Sequence, residues 1–214
     1  MYFALISVFF FVSLPAQADY AKGFQAFLEG DYETTYKEYK LEADNGNAFA
    51  QADLGDMYYH GVGIEQNYDK AREYFLKAAK QSHSRAQYNL GVLYENGYGV
   101  KQDYEQAIEW WCKASDQGHW GAAYNIGMLY YKGEGVPKDR EVAAQRFNKV
   151  AIQGVPGAQY HLGIMYLNAD GVGKDFTKAR YWLKKAYDNM DPEIAQQAKK
   201  ALDGLKAEEK VQLF

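Results

Sequence analysis

The chain has 214 residues, a formal net charge of −4 and 16% aromatic residues. This length suits one domain or one continuous repeat array, and without a basic excess the chain lacks the electrostatic signature of a nucleic-acid-binding protein. The 20 glycines require a positional reason, because each glycine inside a helix costs about 1 kcal/mol relative to alanine.

Residues 1–18 have the pattern of a secretory signal peptide. No charged side chain precedes Asp19, residues 2–14 are almost wholly apolar, and residues 15–18 (PAQA) supply a small-residue cleavage pattern. The segment lacks the Lys or Arg that usually opens such a peptide, and it is shorter than the about 20 apolar residues that cross a bilayer. We therefore expect cleavage after Ala18, a periplasmic or secreted location and no stable membrane insertion. An uncleaved anchor is the alternative.

From residue 19 onward the chain is a repeat with a period of 36 residues. An incomplete copy covers residues 19–47, and four full copies cover residues 48–83, 84–119, 120–155 and 156–190. The full copies share residue types at four equivalent places: Ala50, Ala86, Ala122 and Ala158; Leu54, Leu90, Ile126 and Leu162; Gly55, Gly91, Gly127 and Gly163; Tyr58, Tyr94, Tyr130 and Tyr166.

Each copy predicts two helices joined by a glycine-containing loop. The Ala, Leu and Tyr positions share one face of the first helix, and its glycine lets a large side chain of the second helix approach closely. The loops end at good N-cap residues for the second helix, and Asp103 with Gln106 predicts a capping box. These N-caps are Asn67, Asp103, Asp139 and Asp175.

Residues 191–214 predict a polar capping helix and tail. Asp191-Pro192-Glu193 combines an N-cap, a proline at the first helical position and an acid in the first turn. The helix carries Lys199 and Lys200 in place of the core glycine, as expected for an element that seals a repeat array.

The unit A-x-x-x-L-G-x-x-Y-x-x-G-x-G-V-x-x-D-x-x-x-A resembles the Sel-one-like repeat family, a relative of the tetratricopeptide repeats. The resemblance covers about residues 20–190 and departs from the pattern at Ser82, at Arg140, where the other copies have an aromatic residue, and at Ala169, where glycine is expected. It implies an all-α, right-handed αα-superhelix whose concave face holds partner proteins. Bacterial members are often periplasmic or exported adaptors and signalling regulators. The residues that carry the motif most completely are Ala86, Leu90, Gly91, Tyr94, Gly97, Gly99, Val100, Asp103 and Ala107.

The first helix of each copy is expected to line the concave face. Its asparagines both donate and accept hydrogen bonds and can bind the backbone of an extended peptide, while its tyrosines offer contact area that interfaces favour. The alternative is that Asn89 and Asn125 only link one repeat to the next. The candidate partner-binding residues are Asp53, Tyr59, Asn89, Glu95, Asn125, Tyr131, Lys132 and His161.

No motif for catalysis, a cofactor or a metal is present. His83 and His119 are one period apart, so they should lie roughly 8–10 Å from each other, too far to share one zinc ion. Cys112 is the only cysteine and is interpreted as a small apolar residue. Cysteine-rich relatives of the family have been linked to β-lactam binding or hydrolysis, but they staple each repeat with a disulfide that this chain lacks.

The sequence therefore predicts an exported, monomeric, non-enzymatic scaffold that binds a protein or peptide partner. The alternatives are a periplasmic regulator that restrains a membrane sensor, a secreted effector that acts on host proteins and, less favoured, an envelope hydrolase.

Overall fold

The computed structural model describes residues 15–189 and 191–211. The predicted signal peptide lies outside these residues, apart from its last four. The described residues form eleven α-helices and no strand, which confirms the all-α prediction. The helices are α1 (Pro15–Glu29), α2 (Tyr32–Asp44), α3 (Ala48–His60), α4 (Tyr68–Lys80), α5 (Ser84–Asn96), α6 (Tyr104–Asp116), α7 (Trp120–Lys132), α8 (Arg140–Ala151), α9 (Pro156–Asn168), α10 (Phe176–Tyr187) and α11 (Pro192–Val211).

The helices fall into two compact units, one up to Ala78 and one from Ala79 onward. In the first unit α1 packs against α2 and α2 against α3, and Gly55 of α3 lies against Phe75 of α4. In the second unit every helix from α5 to α11 packs against the next one along the chain. In the second unit α5 also contacts α7, and α9 also contacts α11. No helix among the described residues is long and apolar enough to cross a membrane.

The glycine of each first helix makes room for a large side chain of the second helix. A Cβ added at Gly91 would overlap the indole of Trp111, and one added at Gly127 would lie 2.8 Å from the ring of Phe147. The Trp111 Nε1 also donates a 3.0 Å hydrogen bond to the carbonyl oxygen of Tyr88. The predicted contact between a small and a large residue therefore holds each helix pair together.

All four predicted N-caps form, but the capping box does not. The side chains of Asn67, Asp103, Asp139 and Asp175 each accept a hydrogen bond from a backbone N–H three residues later. The backbone N–H of Asp103, which a capping box would satisfy, donates instead to the carbonyl oxygen of Tyr94. The Gln106 side chain therefore turns away and donates to Glu109.

Two of the three residues that depart from the repeat pattern have a strained backbone conformation. Ala169 ends α9 with φ 56°, whereas the corresponding residues Gly61, Gly97 and Gly133 are glycines in the same left-handed conformation. Ser82 also has a positive φ, of 63°. Left-handed backbone costs a residue with a Cβ about 1–2 kcal/mol, so both positions would favour glycine.

Helix α11 covers the last helix pair. It packs against α9 and α10, buries Ala198 and Leu205 and leaves Lys199 and Lys200 exposed. Its N-terminus is capped by Asp191, whose carboxylate accepts hydrogen bonds from two backbone N–H groups.

Candidate partner-binding surface

The first helices α5, α7 and α9 of the second unit lie side by side. Helices α7 and α9 meet through aromatic rings, because the ring of His161 lies 5.3 Å from that of Tyr131 and 6.2 Å from that of Tyr124. Phe147 of α8 stacks on the imidazole at 5.2 Å and also lies 6.0 Å from the Tyr131 ring. Two predicted site residues, Tyr131 and His161, are thus brought into contact.

His161 is held neutral by this environment. Burial, together with the positive charges of Arg140 and Lys132, lowers its pKa from 6.5 to about 4. At neutral pH the imidazole therefore acts as an uncharged ring within an aromatic cluster.

Arg140 is a site residue that the sequence did not single out as one. Its guanidinium carbon lies 3.5 Å from the centre of the Tyr131 ring, and its Nε lies 3.3 Å from Oδ1 of Asp170. The Nε and Nη1 atoms are buried and have no hydrogen-bond partner. The signal in the sequence was the departure from an aromatic residue at this place. We call Tyr131, Lys132, Arg140 and His161 the Arg140 cluster.

Two acidic residues, Glu95 of α5 and Glu134 of the loop after α7, flank the cluster. The Lys132 Nζ lies 3.5 Å from Glu134 Oε2, and both side chains are about half exposed. Burial raises the pKa of Glu95, a shift that the positive charge of Lys132 opposes. Lys132 of α7 is therefore within electrostatic range of both Glu95 on α5 and His161 on α9.

The predicted asparagines lie on the same helices. Asn89 and Asn125 are both half-buried, and among the described residues the Asn125 side chain makes no hydrogen bond. Buried glutamines provide amides that join one repeat to the previous one. Gln87 donates to the carbonyl oxygen of Ala79 at 3.2 Å, and Gln159 donates to that of Ala151 at 3.0 Å.

Two predicted residues lie in the first unit. Asp53 accepts a 2.7 Å hydrogen bond from the hydroxyl of Tyr20. The Tyr59 ring packs edge-on against the rings of His60 and Tyr68. Gln51 makes the same inter-repeat bond in this unit, to the carbonyl oxygen of Ala43.

The remaining histidines and the cysteine have structural surroundings. His83 and His119 lie in the links between repeats, where each Nδ1 accepts a 3.3 Å hydrogen bond from a helix N-terminus. Burial lowers the pKa of His119. Cys112 is half-buried against the core formed by α6 and α7. Within the part of the chain that the structure describes, no three His, Cys, Asp or Glu side chains are grouped so that they could hold a metal ion.

The Sel1 repeat family model matches residues 48–83, 84–119, 120–154 and 156–189. The chain belongs to the Sel1 repeat family. Among solved structures, a Sel1 repeat protein from Oxalobacter formigenes is 30% identical, with a TM-score of 0.75 over 82% of this chain and 72% of that one. These matches confirm the predicted fold class, an αα-solenoid of Sel1 repeats.

A protective antigen present in uropathogenic Escherichia coli strains is also similar. It is 32% identical with a TM-score of 0.77, and the match covers 80% of this chain but only 38% of that protein. A Sel1 repeat protein from Klebsiella pneumoniae, 20% identical, shares the fold with a TM-score of 0.57 over 86% of this chain and 92% of that one. The comparison with curated proteins found no match. Sel1 repeat proteins are generally protein-interaction scaffolds and are typically not enzymes.

Proposed function

We propose that this Sel1 repeat protein is an exported scaffold that binds a peptide or protein partner along its first helices, on the concave face of the repeat array. The observation that carries the proposal is Asn125, a half-buried amide without a hydrogen bond to the described residues, on the same face of α7 as Lys132 of the Arg140 cluster. A half-buried amide gains most from a partner that both donates and accepts hydrogen bonds, and the backbone of an extended peptide does both.

Affinity capture from the cell envelope fraction tests the binding proposal. The bait is the full chain with a C-terminal tag, compared with the double variant Asn125→Ala/Tyr131→Ala. The matched control is Asn148→Ala/Tyr181→Ala, which removes the same side chains from exposed positions on second helices α8 and α10. We expect a partner that the parent and the control capture and the Asn125/Tyr131 variant loses.

Equal capture of the partner by all three baits would contradict binding through the first helices. A membrane sensor as the captured protein would favour the regulator alternative, and a host protein would favour the effector alternative. Capture of nothing specific by any bait would contradict the scaffold proposal and direct attention to hydrolase assays on cell-wall and β-lactam substrates.

Export and cleavage after Ala18 are part of the proposal. The E. coli relative is named as a protective antigen, which agrees with export. Cell fractionation with intact-mass measurement should find a chain that starts at Asp19 outside the cytoplasm. A mass that retains residues 1–18 would support the uncleaved anchor instead. Size-exclusion chromatography with light scattering tests the proposed monomer.

A further inference from the structure

Arg140 stands at a repeat position where the other copies have an aromatic side chain. In the other copies, and in the incomplete first one, the first residue of the second helix is Tyr32, Tyr68, Tyr104 or Phe176. A glycine of the following loop lies directly against this residue: Gly63 against Tyr32, Gly135 against Tyr104 and Gly171 against Arg140. Because the site accommodates an aromatic side chain in the other copies, packing alone does not require a cation there.

Two of the three nitrogens of the Arg140 guanidinium make no hydrogen bond. Its Nε lies 3.3 Å from Asp170 Oδ1, but neither the buried Nε nor the buried Nη1 has a hydrogen-bond partner. The flat face of the group lies against the Tyr131 ring, which fixes its orientation. The Arg140 side chain is 22% exposed, and Nη2 is the guanidinium nitrogen that is not among the buried atoms without a partner, so Nη2 is the atom that a ligand would reach.

Lys132 provides a second cation next to the first. It follows Tyr131 directly in the chain, and both Lys132 and Arg140 lie near enough to His161 to affect its charge state. The ion pair between Lys132 and Glu134 is exposed to solvent. Exposed ion pairs are weak, so a ligand can replace Glu134 as the partner of Lys132. Two cations on different helices thus converge beside a neutral ring.

Three carboxylates limit what this cluster attracts. Glu95, Glu134 and Asp170 surround the two cations, so their charges cancel the field of the cluster at long range. An anion gains only when it reaches Arg140 and Lys132 in direct contact, since charge-assisted hydrogen bonds are short-range and depend on geometry. Such a site favours a positioned carboxylate over free anions in solution.

The position of Asn125 relative to Lys132 defines the direction in which a bound peptide would run. It precedes Lys132 by seven residues on α7, which places the two on the same helical face about 10 Å apart. An extended peptide covers this distance with about three residues. The layer of first helices continues to α5 on one side and to α11 on the other, so a bound peptide does not need to end at the cluster.

We infer that the Arg140 cluster recognises the side-chain carboxylate of an Asp or Glu in an extended peptide, with Asn125 bonded to the peptide backbone about three residues away. This inference rests on the proposed function and adds the chemistry of the partner to it. Arg140 bonds the carboxylate through Nη2, Lys132 supplies the second positive charge, and Tyr131 keeps the guanidinium in place.

A selection from a random 12-residue peptide library tests the inference. The peptides are displayed on phage with their C-termini fused to the coat protein, so any carboxylate that is selected comes from a side chain. The baits are the full chain and its Arg140→Tyr variant, which restores the aromatic residue of the other repeats. Circular dichroism and thermal unfolding verify that the variant is folded.

We expect the parent to select peptides with a recurrent Asp or Glu, and the variant to lose that preference. In a synthetic copy of the best peptide, replacing the recurrent acid by its amide should weaken binding to the parent about 10- to 100-fold, the usual contribution of a charge-assisted hydrogen bond. Arg140→Tyr should weaken binding of the acidic peptide by a similar factor and bind the acidic and amide peptides equally.

Titration of the His161 ring by NMR locates the bound carboxylate. The acidic peptide should raise the pKa of His161, because a negative charge nearby favours the imidazolium, whereas the amide peptide should leave it unchanged. Selected peptides without a recurrent acid, equal binding of acid and amide by the parent, or an unchanged His161 pKa would overturn this inference and leave the scaffold proposal standing. Selection of no peptide at all by the parent would overturn both.

Discussion

The unsatisfied side-chain oxygen of Gln159 predicts that a substitution at Asn189 should stabilise the protein. Its Oε1 is buried without a hydrogen-bond partner. Two repeats earlier, the equivalent Oε1 of Gln87 accepts a 2.7 Å hydrogen bond from Gln117. The residue equivalent to Gln117 is Asn189, whose shorter side chain makes only a 3.5 Å contact with the carbonyl oxygen of Gly154. Asn189→Gln adds the methylene that the bond to Gln159 lacks.

The expected gain is about 1 kcal/mol in the free energy of unfolding. A buried acceptor without a hydrogen bond costs about 1–3 kcal/mol, and ordering the longer glutamine side chain cancels up to about 1 kcal/mol of the gain. For a chain of this length, 1 kcal/mol corresponds to a rise of about 2–4 °C in the melting temperature.

Thermal and urea unfolding followed by circular dichroism measure this gain. The reverse change at the equivalent place, Gln117→Asn, should destabilise the protein by a similar amount, because it withdraws the donor from Gln87. In a Gln159→Met background, where no acceptor remains, Asn189→Gln should have no stabilising effect. A gain of the same size in that background, or no gain in the parent, would refute the assignment of the missing bond.

Four further substitutions test the fold. Ala169→Gly should raise the free energy of unfolding by about 1 kcal/mol in urea denaturation, because it relieves a residue at φ 56°; a loss of stability would contradict the strain. Gly91→Ala should destabilise by about 1–3 kcal/mol, since its Cβ would overlap Trp111, while Gly204→Ala, with open space around it, should gain about 1 kcal/mol from helix propensity. His161 is favoured as the neutral form in the fold, so stability should be complete above pH 6.5 and fall by up to about 3 kcal/mol as the pH drops to about 4. His161→Phe should remove most of that fall between pH 6.5 and 4, and an unchanged pH profile would mean that another group titrates.

The helix pairs and their ends could be predicted because the signals that form them are local or recur with the repeat. An N-cap such as Asp139 bonds a backbone N–H three residues later, so its role depends only on nearby sequence. Gly91 and Trp111 recur in register in every full copy, as a glycine paired with a large residue, and this recurrence predicts their contact from the sequence alone. The capping box at Asp103 failed for a tertiary reason, because Tyr94 had already taken the backbone N–H.

The sequence by itself therefore determined the fold class, the repeat and the helix caps of this protein. Only the tertiary structure decided which polar side chains are satisfied: Gln87 and Gln159 join the repeats, Asn125 makes no hydrogen bond within the described residues, and Arg140 meets Tyr131 and His161. These outcomes depend on contacts between helices that are far apart in the chain, and a residue type alone does not reveal whether its hydrogen-bonding groups meet a partner there. A ligand is recognised through hydrogen-bonding groups that the protein itself leaves unsatisfied. The candidate site could therefore be located only after the packing of α7, α8 and α9 was known.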